Sequence, residues 1–460
     1  MTGSAHEQDS EGAGNGWLGT EFEITVDRFG HGGIGVGRHD GRVVFIRHAL
    51  PGETVRVVVS EDRGKGFCRA EIREIVRASP HRIDPVCRVG APVSAGGAGG
   101  GCCDLSHTTG THARELKSQV LTELLGRMGG IEWGGEVVSL DPGTADAPET
   151  GWRVRERLFV DARGRPGVRE YQSHSVIPRV DCAQPVPGLV DGLDEFGDLE
   201  SGSELMLTVG DDGRHHIVHI AAAAEPHRGG RGKRPHSGRR RTQQQRAQRS
   251  TPRREVLLAG EPTVRRTVGG RTWEVPVTGF WQAHRLAASG YSDTVRTLLR
   301  SAELPRSVVA WDLYGGAGVL AGAVLDENDE SWGTARVHIV EADRGATAAA
   351  DLTFADDHRV RIHRASVLAA VADLPSPDVV IVDPPRAGAG RDVVERITSA
   401  EPSAVIAVGC DPATFARDLA DYRRGGYEVD TLLGFDAFPL THHLEAVALL
   451  RPSVRAAVGP

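Results

Sequence analysis

The sequence lacks any long apolar run. No uninterrupted hydrophobic stretch approaches the roughly 18 residues that a membrane-spanning helix needs, which excludes that class. It also lacks an apolar segment near its start. Met1 to Gly16 is polar and glycine-rich, so no secretory signal is expected and the cytoplasm is the default compartment. An excess of positive charge is missing too. With 54 Lys and Arg against 62 Asp and Glu the formal net charge is -8, so any contact with nucleic acid must rest on basic residues concentrated locally. Cysteine is sparse, with 6 residues: Cys68, Cys87, Cys102, Cys103, Cys182 and Cys410. In a reducing compartment these exclude a disulfide framework and leave metal ligands, catalytic thiols or core residues.

What is present suffices for two or three domains, because 460 residues exceed what one simple core accommodates. From Glu21 to about Arg77, alternating strands and Gly-rich turns predict a small β-barrel: Phe22 to Val26, Arg42 to Ile46, Thr54 to Val59, and a closing stretch from Lys65 to Val76. Leu116, Val120, Leu121, Leu124 and Leu125 form one apolar stripe of a helix over His112 to Met128. Gly151 to Val160 alternates as a strand with Arg153, Arg155 and Arg157 outward. Together with Arg169 to Val176 and Leu205 to Ile220 it predicts an antiparallel sheet. Glu225 to Glu255 differs in kind. Its many Arg side chains sit among Gly, Gln, Ser and Pro with almost no apolar residue, so it cannot bury a core. It reads as a disordered tether for phosphates, with an incidental basic surface loop as the alternative.

Towards the C-terminus, strands end one after another in glycine or polar turns that open helices, as in a doubly wound α/β sheet. Val308 to Leu313 runs into Tyr314-Gly315-Gly316-Ala317-Gly318, whose glycines let backbone approach a ligand. Arg336 to Val340 ends in Glu341, which suits ribose hydroxyls without saying which adenosyl ligand carries them. Arg359 to His363 follows, with Ser366 beyond it. Val379 to Val382 ends in Asp383-Pro384-Pro385-Arg386. Ala404 to Val408 climbs to Gly409-Cys410, Asp411-Pro412 breaks the strand, and a helical pattern starts at Ala413. A thiol just before a helix N-terminus is expected to have a lowered pKa, the alternative being a buried structural cysteine. His442-His443-Leu444-Glu445 precedes a last apolar strand.

The Asp383-Pro384-Pro385-Arg386 turn, the Cys410 turn continuing into Pro412-Ala413-Thr414, and the late His443-Leu444-Glu445 resemble, in this order, the class I S-adenosylmethionine-dependent RNA 5-methyluridine methyltransferases. The resemblance implies an α/β protein with a Rossmann-like methyltransferase domain over 276–460. Before it would lie a disordered tail over 1–17, a TRAM-like RNA-binding barrel of the oligonucleotide-binding type over 18–80, and a central α+β RNA-binding region over 81–275 containing the basic insertion 225–255. It implies Cys410 as the nucleophile that adds to carbon 6 of uracil and Glu445 as acceptor of the carbon 5 proton. Gln282, Tyr314, Glu341 and Asp383 would bind S-adenosylmethionine, and Asp383 with Arg386 would orient the base. The partner would be rRNA or tRNA, with no membrane and a monomeric enzyme. Arg42, Arg47, Lys65 and Phe67 in the barrel, and Arg153, Arg155 and Arg157 beyond it, would grip the strand.

The chain departs from the family at several points. In many members of that family four cysteines hold a 4Fe-4S cluster. Cys87, Cys103 and Cys182 match, the fourth position falls on Gly100, and Cys102 stands beside Cys103. Adjacent cysteines ligate one cluster poorly, so a cluster-free loop is favoured over a cluster. His284 replaces an Asn, which is expected to weaken a cofactor contact, and Asp411 replaces the Asn after the cysteine, where a carboxylate would raise the thiol's pKa. Two other functions stay open: an RNA-binding protein with weakened catalysis, and an NAD(P) oxidoreductase, which leaves the Cys410 and Glu445 turns unexplained.

Overall fold

In the computed structural model, β1 (Glu21–Gly30), β2 (Ile34–His39), β3 (Arg42–Arg47), β4 (Thr54–Asp62) and β5 (Phe67–Arg77) close a barrel in the order β1-β2-β3-β5-β4. The structure describes residues 16–453 apart from 65, 142, 144, 145, 179, 224–252, 332 and 333. Contacts divide the chain into two units, 1–84 and 85–460. Lys65 and almost all of the tail and basic insertion lie outside the described residues.

Alternation drives the barrel, with Ile24, Val26, Val44, Ile46, Val55, Val57 and Val59 pointing inward into one core. Gly37 is required where strands meet, because a Cβ there would lie 2.6 Å from the Thr25 carbonyl. Residues 16 and 17 of the tail expected over 1–17 lie among the described residues. Trp17 is pinned by its N–H, which donates to Asp62 Oδ2 at 2.6 Å, and by Phe22, whose ring lies 5.6 Å away. Arg42 departs from its expected role. Its guanidinium grips Asp62 at 2.7 and 3.0 Å and lies 4.4 Å over Trp17, so it braces the barrel and holds the Asp62 carboxyl well below the usual range. Phe67 does lie open, 39% exposed and edge-on to Phe45 at 5.6 Å, with Arg69 5.9 Å from the Phe45 ring. Such an aromatic and basic surface suits stacked bases.

The second unit begins its regular structure with α1 (Gly110–Leu124), capped by Thr109, and β6 (Val137–Ser139). A six-stranded antiparallel sheet then forms from β7 (Arg155–Val160), β8 (Pro166–Arg169), β9 (Val176–Ile177), β10 (Glu204–Val209), β11 (His215–Ile220) and β12 (Glu255–Ala259), in the order β12-β11-β10-β7-β8-β9. Arg155 is covered, contrary to expectation, although Arg157 on the same face stays exposed. Its guanidinium donates to the Gly279 carbonyl at 2.6 Å, and burial lowers its pKa to about 10, so Arg155 ties this sheet to the segment before the next helix. Arg157 pairs with Glu204 at 3.4 Å, and Arg153 donates to Gln184 at 2.8 Å. At the edge of the basic insertion, Arg253 pairs with Glu204 at 2.8 Å.

After the hairpin β13 (Thr263–Val268) and β14 (Arg271–Pro276) comes α2 (Ala287–Ser301). The remaining elements alternate: β15 (Ser307–Leu313), α3 (Val319–Ser331), β16 (Thr334–Glu341), α4 (Arg344–Thr353), β17 (Val360–Arg364), α5 (Val367–Ala370), β18 (Val379–Val382), α6 (Arg391–Ser399), β19 (Ala404–Gly409), α7 (Pro412–Arg424), β20 (Tyr427–Asp436) and β21 (Glu445–Pro452). They form an eight-stranded sheet, β17-β16-β15-β18-β19-β21-β20-β6. The five strands from β17 to β19 are parallel, β21 runs antiparallel to β19 and to β20, and β20 and β6 therefore point the same way as the five. Helices cover both faces, which is why β18 and β19 are apolar throughout instead of alternating. Among the described residues no helix is long and apolar enough to cross a membrane.

Two contacts join α1 to this sheet. The Ser118 hydroxyl accepts from Val137 N at 2.8 Å, and Lys117, 1% exposed, forms an ion pair with Asp436 and donates to the Phe438 carbonyl at 3.2 Å. Removing one member of a buried pair strands the other charge. Lys117→Met is therefore expected to cost about 3–5 kcal/mol in denaturant unfolding, and adding Asp436→Leu should recover most of it.

Candidate active site

Register fixes the site. Leu313 pairs with Val340 on one side and Val382 on the other, so the next residues, Tyr314, Glu341 and Asp383, stand in a row at the carboxyl ends of β15, β16 and β18. Val382 pairs with Ala407, and Gly409 pairs with Ala446. Cys410, leaving β19, therefore lies across from Glu445, which opens β21. This is the crevice where open α/β sheets bind ligands, at the point where strand order reverses.

The turns are held by local geometry. Tyr314 adopts φ 58°, an uncommon conformation for a residue with a side chain, and exposes the glycine turn behind it. Gly409 is bare because a Cβ there would meet the Phe415 ring at 2.5 Å. Asp411 is the N-cap of α7, accepting from Ala413 N at 3.1 Å and Thr414 N at 2.9 Å. Its carboxylate is thus turned into the helix end, and the groups that raise the neighbouring thiol's pKa are others. The Thr414 hydroxyl donates to the Arg386 carbonyl at 3.0 Å, and Arg417 donates to the Ala387 carbonyl at 2.8 Å, which lock the Asp383 turn to the Cys410 turn.

Electrostatics overturns one expectation. The Cys410 thiol is pushed up to about 12 by burial and then by Glu445 and Asp383, with Arg386 pulling the other way. A helix terminus supplies about 0.3–1 kcal/mol, less than the ~1.4 kcal/mol that moves a pKa by one, so it loses to burial among carboxyls. Burial likewise pushes Asp383 up to about 7, and burial with the Asp383 charge raises Glu445. His443 is driven down to about 2 by burial and His442, so it stays neutral. The pocket is rich in groups whose charged forms burial disfavours.

Three neighbours were not singled out from the sequence. Tyr291 on α2 is 3% exposed, and its hydroxyl sits among Glu445, Asp383 and Cys410, near enough to favour the Glu445 carboxylate but not aligned for a full hydrogen bond. A ring hydroxyl on an otherwise apolar stripe was its only signal. Asp312, fully buried, accepts from Ala321 N at 3.0 Å with Oδ2 and is pushed up to about 7 by burial. Asp104 receives the His442 N–H at 3.0 Å and also contacts its ring, fixing the loop that leads to Glu445.

The remaining expected residues are placed by their neighbours. Gln282 sits between Trp281, which packs 6.2 Å from Trp273, and Ala283, whose carbonyl accepts from Val154 N at 2.9 Å. Ser366 is an exposed N-cap at the β17 edge. His284 is a latch: its Nε2 meets Glu149 at 2.8 Å, its Nδ1 accepts from Leu286 N at 3.1 Å, and its ring stacks on Trp152. The weakened cofactor contact expected of it has no counterpart in these contacts.

Comparison with known proteins fits this geometry. The TRAM domain family matches residues 18–72, and the tRNA (uracil-5-)-methyltransferase family matches residues 362–453. An uncharacterized RNA methyltransferase of Corynebacterium glutamicum is 38% identical over 437 residues, 94% of this chain and 97% of its own. The 23S rRNA (uracil(1939)-C(5))-methyltransferase RlmD of Halomonas elongata is 31% identical over 462 residues, 93% of this chain and 89% of its own. The chain belongs to the RNA (uracil-5-)-methyltransferase family. A crystal structure of Pyrococcus abyssi tRNA (uracil-54, C5)-methyltransferase with S-adenosyl-L-homocysteine shares the fold, with a TM-score of 0.63, 21% identity, and 93% of this chain and 100% of that one covered.

An S-adenosylmethionine-dependent RNA (uracil-5-)-methyltransferase needs a bare turn beside the sheet and acids that tolerate a sulfonium. Both are here. A Cβ on Gly315 would lie 2.8 Å from Asp312 Oδ2, and Glu341 Oε2 accepts from Gly316 N at 3.2 Å at the rim of the same turn. The cysteines of this family member also converge. The thiols of Cys87, Cys103 and Cys182 lie within 4.8 Å of one another. That spacing does not suit a 4Fe-4S cluster, in which each thiolate binds its own iron and the sulfurs stand farther apart.

Proposed function

We propose that the chain transfers the methyl group of S-adenosylmethionine to carbon 5 of a uridine in rRNA or tRNA through a covalent Cys410–uracil intermediate. The register that sets Cys410 opposite Glu445, with Asp383 on the adjacent strand end, carries this reading. Full-length similarity to the 23S rRNA enzyme favours rRNA.

Carbon 5 of uracil is a poor nucleophile until a thiolate adds to carbon 6. Cys410 loses its proton to Asp383 and bonds to carbon 6, and the ring's π pair moves onto the carbon 4 oxygen as an enolate. Carbon 5 then takes the methyl group. Bound S-adenosylmethionine supplies that electrophilic methyl on a sulfonium. Glu445 removes the carbon 5 proton, the released pair restores the carbon 5–carbon 6 double bond, and the Cys410 bond to carbon 6 breaks. Arg386 offsets the negative charge, and Asp383 orients the base. The target base must leave its stack to reach this pocket. Phe67, Phe45 and Arg69 of the barrel supply sequence-tolerant grip, and Gln282 with Tyr314 and Glu341 binds the cofactor.

The enzyme acts in the cytoplasm as a monomer, a reading supported by large exposed apolar residues that are scattered along the chain, such as Leu18, Val93, Phe280 and Leu352. No step needs an iron–sulfur cluster. The test is incubation of the protein with methyl-labelled S-adenosylmethionine and a mixture of rRNA and tRNA, followed by nucleoside analysis. Label in 5-methyluridine is expected. RNA binding without transfer would return the chain to the weakened-catalyst reading, and nicotinamide binding without sulfonium binding to the oxidoreductase one.

A further inference from the structure

Away from the catalytic crevice, Cys87, Cys103 and Cys182 meet in an apolar cluster with Val89, Val168 and Leu440. Cys182 Sγ lies 3.7 Å from Cys87 Sγ and 3.8 Å from Cys103 Sγ. These distances are nearly twice the ~2.05 Å of a disulfide bond, and Cys182 favours neither partner, so no disulfide is formed or selected. Ligands about 2.3 Å from a tetrahedral zinc ion are separated by about 3.8 Å along each edge. Two edges therefore already have the length they take around one ion, and the third, Cys87 to Cys103, is within 4.8 Å. Cys102, half-buried, interacts with all three, although it lies outside the group in which every pair is within 4.8 Å.

The surroundings are those of metal-bound thiolates. Gln184 Nε2 donates to Cys103 Sγ at 3.2 Å, and the Ala183 N–H donates to Cys87 Sγ. Such donors orient ligands and stabilise their charge. Cys87 and Cys103 are fully buried, where thiolates without a cation would be costly.

We infer that Cys87, Cys103 and Cys182 bind one structural zinc ion in place of an iron–sulfur cluster. The ion joins the segment after residue 85, the loop at 182–184, and the loop before β21. Leu105 N donates to the Leu440 carbonyl at 2.9 Å, and Asp104, next to Cys103, holds His442. Zinc thus braces the approach to Glu445 without touching the reacting atoms.

Full-length protein purified anaerobically without chelator is assayed for zinc, iron and acid-labile sulfide. About one zinc per chain is expected, with no absorption from iron–sulfur charge transfer and zinc–sulfur distances of about 2.3 Å by X-ray absorption. Cys87→Ser and Cys182→Ser should each lose the metal, and Cys102→Ser and Cys68→Ala should keep it. Stripping zinc should lower Tm by several degrees, restored on adding zinc back. Should a variant fail to fold, cobalt substitution of the unaltered protein reports the ligands by its thiolate charge-transfer bands. Iron with sulfide, a metal-free protein, or zinc retained without Cys87 and Cys182 would each overturn the inference.

Discussion

Cys410→Ser is expected to slow methyl transfer on the order of ten-thousand-fold or more, because the alternative route requires the unactivated carbon 5 to attack directly. Serine keeps the size of the side chain but is a far weaker acid and a poorer leaving group from carbon 6. Single-turnover transfer of labelled methyl measures the rate. RNA carrying 5-fluorouridine supplies an independent readout. Fluorine replaces the proton that Glu445 must remove, so the unaltered protein should be captured as an adduct that survives denaturing electrophoresis, and the serine protein should form none. A serine protein within tenfold of the unaltered one would remove the covalent mechanism. The thiol's high pKa adds a pH signature. With Cys410 near 12 and Asp383 near 7, both are largely protonated in mildly acidic solution, so adduct formation should accelerate as pH rises through 7 and show no loss on the alkaline side up to about 9.

Glu445→Gln is expected to separate the two halves of the reaction. The first half needs Cys410, and the second needs a base at position 445. The substitution should permit a single round of methyl transfer and then stall, with ordinary uridine RNA accumulating as a methylated covalent complex and turnover falling about 10²–10⁴-fold. The complex is counted on denaturing gels. Unimpaired turnover would give the proton to another group, and a loss of methyl transfer without any complex would assign Glu445 to the first half. Stability will not confuse the result. Burial raises the folded-state pKa of Glu445 above its unfolded value, so its contribution is greatest below the unfolded pKa near ~4.3 and declines as pH rises. The amide removes that decline, and the variant should be no less stable at pH 8. The same reasoning suits the carboxyl to its task. Once positive charge leaves the pocket, the pair regains its affinity for protons just when carbon 5 has one to give.

Much of this site was legible in the sequence because its residues terminate strands. A buried parallel strand is an unmistakable apolar run, and Asp383, Cys410 and Glu445 each interrupt or begin one. What escaped was set by tertiary packing. Arg155 alternates outward like its neighbours, and only the return of the chain at Gly279 covers it. Arg42 sits on an exposed-looking barrel strand until Asp62 and Trp17 claim it. The direction of the Cys410 titration was misjudged because the helix terminus is visible in sequence while the carboxyls facing the thiol come from residues 27 and 35 positions away. Three-residue β6 has too short a pattern to announce its sheet.

That short strand has an evolutionary consequence. The edge of the catalytic sheet is finished by residues that precede the six-stranded sheet in the chain, and the acid at the end of β20 is neutralised by a lysine from α1. A recombination that moved only the stretch after β14 into another protein would carry an open hydrogen-bonding edge and an orphaned charge. The catalytic sheet is heritable only together with the α1 and β6 segment that completes it.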